Sequence, residues 1–77
     1  MSDELFSVEA TKSREDVATL LRSIADQLDT DAGHVRITAG DQSASVEIPD
    51  PLTVEIEIER DEGAGELEIE LTWNEQS

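Results

Sequence analysis

The chain has 77 residues and 8.4 kDa, the size of one small domain, and carries twenty acidic against five basic residues, a net charge of -15. That charge argues against nucleic acid and anionic membrane as partners, because both would be repelled over the whole surface. The absence of cysteine removes disulfides, thiolate metal sites and cysteine nucleophiles.

In chain order, Leu5 to Thr11 alternate, with Phe6, Val8 and Ala10 on one parity, which predicts a first strand over 5–11. Ser13 is a good N-cap, followed by Glu15 and Asp16 in the first turn. Val17, Leu20, Leu21, Ile24, Ala25 and Leu28 then recur at helical spacing, giving one apolar stripe on a helix over 14–29. Gly33 suits a left-handed turn that ends this unit. Four more alternating runs form an expected antiparallel meander over 34–73. Their inward residues are Val35, Ile37 and Ala39, then Ala44, Val46 and Ile48, then Val54, Ile56 and Ile58, then Leu67, Ile69, Leu71 and Trp73. Turns fall at Gly40-Asp41, Pro49-Asp50-Pro51 and Asp61 to Gly65.

The expected fold is α+β, in the order β-α-β-β-β-β, with a five-stranded, mostly antiparallel sheet and one helix packed on one face. In this expectation the first strand pairs antiparallel with the last; the alternative sets it parallel to the strand after the helix, through a right-handed crossover.

High charge with few aromatics often means disorder, but the apolar residues here are too regularly patterned for that. The composition instead points to a folded protein adapted to molar salt. Two carboxylates about 5.5 Å apart repel by about 0.75 kcal/mol in salt-free water. Screening at 1 M, with a Debye length of about 3 Å, reduces this to about 0.1 kcal/mol. Diffuse K⁺ screening is therefore expected, along with marginal stability in dilute buffer. The acidic start of the chain and the lack of a long apolar run predict a soluble, cytoplasmic protein.

Several constellations resemble sites without meeting their chemistry. His34, the only histidine, has no cysteine or second histidine to share a metal and lies on the outward parity. Asp29 to Gly33 begins like a calcium loop, but Gly40 stands where the bidentate glutamate is required. Gly63-Ala64-Gly65 precedes a strand, with no helix N-terminus to receive phosphate. No catalytic residue and no cofactor are expected.

Two features stand out. Glu55, Glu57, Glu59, Glu66, Glu68 and Glu70 share the outward face of the last hairpin, where they are candidates for divalent-cation binding or a solvated, K⁺-screened surface. Either register considered, Ile58 opposite Leu67 or opposite Ile69, sets glutamate across from glutamate. Trp73 lies on the inward parity, as a packed lid over the helix end or as a contact residue. Leu5, on the outward parity of the first strand, marks a small apolar contact if that strand is an edge.

The Ser13-Arg14-Glu15-Asp16-Val17-Ala18 helix entry, the Ala39-Gly40-Asp41-Gln42 turn and the Val46-Glu47-Ile48-Pro49 strand end form an ordered set. With the tail Glu66-Leu67-Glu68-Ile69-Glu70-Leu71-Thr72-Trp73 they resemble the amphi-Trp domains, a family of small, mostly haloarchaeal proteins. The resemblance spans nearly the whole chain as one domain over 1–77 and implies a fold and a lineage, but no reaction. Dodecins also begin β-α-β-β, yet their flavin-stacking tryptophan falls where this chain has Val35-Arg36-Ile37. The expected function is a non-enzymatic protein-interaction module working in high salt, with an unidentified protein or a second copy as partner. The alternative is a divalent-cation-binding protein using the glutamate face.

Overall fold

The computed structural model describes residues 4–75. Helix α1 (Arg14–Leu28) begins as its sequence dictates: the Ser13 hydroxyl accepts from the Asp16 N–H at 3.1 Å, and Glu15 and Asp16 face the positive end of the helix dipole. At the other end the Asp29 N–H donates to the Ala25 carbonyl at 3.1 Å. The Thr30 hydroxyl donates to the Gln27 carbonyl at 2.9 Å and accepts from the Gly33 N–H at 3.2 Å. These bonds occupy groups that the helix end leaves open and turn the chain toward the first sheet.

Strands β1 (His34–Ala39) and β2 (Gln42–Glu47) form an antiparallel hairpin closed by Gly40-Asp41. Gly40 has φ 63, the left-handed geometry that a two-residue turn asks of its first central residue. Val35 pairs with Val46 and Ile37 with Ala44, and all four turn toward α1 by parity. Gly33, at φ 61, extends the ladder by accepting from the Ile48 N–H at 2.9 Å. Helix α1 packs on β1, and Val35, at 2 % exposure, is the buried apolar residue among those described.

Strands β3 (Thr53–Asp61) and β4 (Ala64–Thr72) form a second, longer antiparallel hairpin. Its ladder is separate from that of β1 and β2. The expectation of one five-stranded sheet is therefore corrected: the described residues form two two-stranded sheets and one helix, still α+β. Residues 48–52 connect β2 to β3 through Pro49 and Pro51, which fix φ and supply no N–H, so the ladder is not carried across.

The expected first strand over 5–11 is not a strand. Its Val8 and Ala10 line an open cleft of about 670 Å³ with Val17 and Leu20 of α1 and Ile37 of β1. Two physical reasons stand against its pairing. At β1, the outward-turned N–H and C=O of Arg36 are already bonded to Gln27. At β4, Glu9 would join the parity that already carries Glu66, Glu68 and Glu70, and like charges across a ladder destabilise it.

The consequence is an elongated molecule. Its radius of gyration is 14.2 Å and its extents are 44 × 26 × 26 Å, against about 11.5 Å for a compact chain of this length.

Candidate functional site

The β3–β4 hairpin carries both features singled out in the sequence, and strand alternation sorts them onto opposite faces. The register pairs Ile58 with Leu67, one of the two arrangements considered. On the polar face it stacks Glu55 across from Glu70, Glu57 across from Glu68 and Glu59 across from Glu66, with Thr53 and Thr72 beyond them. All six glutamates are exposed.

The electrostatic strain of this ladder is visible at one rung. A hydrogen bond with the Glu55 carboxyl raises the pKa of Glu70, as does the Glu55 charge, with smaller contributions from desolvation, Glu68 and Glu57. A proton shared between the two carboxyls relieves their repulsion. The glutamates stand in rows along a ribbon, and among the described residues no group of three or more histidine, aspartate or glutamate side chains is arranged to hold a metal ion. A divalent ion needs about six to eight oxygens for calcium, or a tight octahedron for magnesium.

The other face of the hairpin is aliphatic. Val54 pairs with Leu71, Ile56 with Ile69 and Ile58 with Leu67, three consecutive rungs without a polar side chain. Among the described residues nothing covers it: Ile58 is 79 % exposed, Leu67 64 % and Ile56 63 %. Contiguous exposed apolar strips of this kind are uncommon on monomeric proteins. Trp73 continues the same parity just past β4 and is half-buried. Its indole N–H donates to a Glu75 carboxylate oxygen at 2.9 Å, which satisfies the polar edge of the ring. The neighbouring Asn74 and Glu75 line an open cleft of about 270 Å³ with Ala32, Ile48 and Pro49.

The remaining sequence candidates are not brought together. His34 is exposed at the start of β1, opposite Glu47. Leu5 is 82 % exposed, in a segment that is not a strand edge.

Sequence reasoning missed Gln27. Its Oε1 accepts from the Arg36 N–H at 2.7 Å and its Nε2 donates to the Arg36 carbonyl at 3.1 Å, so one side-chain amide imitates a neighbouring strand. The signal was present: Gln27 lies three residues after Ile24 and seven after Leu20, on the apolar face of α1, where a half-buried amide needs partners.

No curated protein and no solved structure matches the chain. What distinguishes it is the pair of opposed faces on one hairpin, glutamate on one side and aliphatic on the other, ending in a single tryptophan. The family model of the Amphi-Trp domain matches residues 1–77, and the chain belongs to that family.

Proposed function

We propose that this chain is a non-enzymatic, cytoplasmic protein-interaction module that works at high salt, binding through the aliphatic face of β3–β4. The observation that carries the reading is the three uncovered rungs from Val54–Leu71 to Ile58–Leu67. Burial of apolar area stabilises an interface by about 25 cal/mol per Å², and a partner is the natural source of that burial. The net charge of -15 fits a halophilic setting, in which screening removes most of the cost of the glutamate ladder.

Affinity capture of tagged protein from a lysate in molar KCl, read by mass spectrometry, tests the proposal. The double variant Ile56→Thr/Ile69→Thr keeps branched strand residues while making the central rung polar. Proteins captured by the native chain and lost by the variant support the reading. An identical capture by both sinks it.

The facing glutamates favour one second reading, divalent-cation binding. Titration calorimetry with Mg²⁺ and Ca²⁺ at matched ionic strength, on the native chain and on Glu57→Gln/Glu59→Gln/Glu68→Gln, decides it. Heat absent from both refutes that reading.

A further inference from the structure

We propose that the partner on the β3–β4 face is a second copy of this chain, packed aliphatic face against aliphatic face in a two-fold dimer; the proposal rests on the interaction reading above and names its partner.

The first argument is area. The chain exposes 7339 Å², whereas a compact monomer of its mass exposes about 4,600 Å². Part of that excess is the strip itself: Val54, Ile56, Ile58, Leu67 and Ile69 are each more than half exposed and together present about 600 Å², so two such faces would bury about 1,200 Å², the low end of what a specific interface takes. Small domains have little stability to spare, so leaving five large aliphatic side chains of one face in water is costly.

The second argument is the composition of the strip. Its central rung is Ile56–Ile69, flanked by Val54–Leu71 on one side and Ile58–Leu67 on the other. A two-fold axis lying between two such faces, whether along or across the strands, sets an aliphatic side chain against an aliphatic side chain at every rung. The strip is therefore self-complementary, as an isologous interface must be. Sheets pack in this way at about 10 Å separation.

The third argument is charge. Each copy carries -15, so two copies can meet only where the charges are absent or turned away. Stacking the aliphatic faces directs both glutamate ladders outward, separated by two sheets and well beyond the Debye length of about 3 Å at 1 M. Joining the same hairpins edge to edge would instead lengthen every rung of facing glutamates.

Sedimentation equilibrium of the full chain in molar KCl, over a dilution series, tests the proposal. The expected result is a mass of twice 8.4 kDa that dissociates on dilution and on lowering the salt. Ile56→Thr/Ile69→Thr should weaken the dimer at least tenfold, while Glu57→Gln, on the opposite face, should not weaken it. Should the double variant fail to fold, hydroxyl-radical footprinting of the native chain supplies a second readout: Ile56, Ile58 and Leu67 become protected as concentration rises. A dimer that survives the double variant, or forms without protecting these side chains, overturns the proposal. A compact native monomer overturns both this proposal and the interaction reading, because the hairpin then docks on its own chain. An elongated monomer that holds a different protein through the same face overturns the dimer alone.

Discussion

Replacing Gln27 by alanine tests whether one side chain joins helix to sheet. The amide makes two bonds to the Arg36 backbone, accepting at 2.7 Å and donating at 3.1 Å, across nine residues of sequence. Each such bond contributes about 0.5–1.5 kcal/mol net, so Gln27→Ala should cost about 1–3 kcal/mol. In a domain of this size each kcal/mol moves the thermal midpoint by about 4–8 °C, so a loss of several degrees is expected in circular dichroism melts at fixed molar KCl. Hydrogen exchange at the Arg36 amide should accelerate together with the fall in midpoint. Gln27→Glu sharpens the test. A carboxylate can still accept from the Arg36 N–H but cannot donate to the carbonyl, which it meets with a negative charge. Protonation restores a donor, so the folded state raises the pKa of the new carboxyl, and the variant should gain stability as pH falls through that pKa. A Gln27→Ala protein that melts with the native chain, with unchanged exchange at Arg36, would refute the clamp.

Val35→Ala removes two buried carbons, worth about 1.6 kcal/mol in transfer alone and more with the residual cavity; denaturant titration should give a loss of about 2 kcal/mol. Gly33→Ala combines φ 61 with a Cβ that would sit 2.5 Å from the Ile48 carbonyl oxygen, so it should destabilise by more than 1 kcal/mol and disturb the Ile48 amide signal. The raised pKa of Glu70 means the folded state holds that proton more tightly than the unfolded state. Stability should therefore rise as pH falls through the folded pKa toward the ordinary carboxylate value, and be lost as pH climbs back. Glu55→Gln removes the largest cause of the shift and should flatten that dependence in titrations of unfolding at constant KCl.

Local pattern made much of this fold readable, and long-range pairing did not. Ser13 and the stripe from Val17 to Leu28 specify α1 because capping and helical period are properties of neighbouring residues. Alternation and turn chemistry likewise placed β1 to β4 and their two hairpins, but left two registers open for the second, of which the structure has Ile58 opposite Leu67. Whether β2 would pair with β3 depended on how a connector with Pro49 and Pro51 directs the chain, which alternation does not encode. The segment 5–11 has strand periodicity, but a strand needs a free edge. The edge of β1 at Arg36 is taken by Gln27, a competition visible only once the helix is in place. The glutamate ladder was legible from parity alone. That the opposite face lies uncovered was not, because it follows from the separation of the two sheets.

The two faces of β3–β4 act together in deciding how copies of this chain can meet. A two-stranded ribbon has two free edges, each a template for strand addition by another ribbon. Its aliphatic side would make that addition dangerous, since alternating branched residues are the raw material of open-ended sheets. The ladder from Glu55–Glu70 to Glu59–Glu66 opposes it, because every added strand would bring further carboxylates alongside those already crowded enough to raise the Glu70 pKa. Stacking by the aliphatic faces brings no carboxylates together and closes after two copies. In the proposed dimer, the charges that weaken the isolated hairpin would thus select face-to-face closure over edge-to-edge growth. Exchanging Glu57 and Glu68 for threonine should therefore lower the salt requirement for folding while shifting association from a closed dimer to open-ended assembly, followed by light scattering. A variant that stays dimeric through a dilution series would show that the ladder has no part in selecting the mode of association.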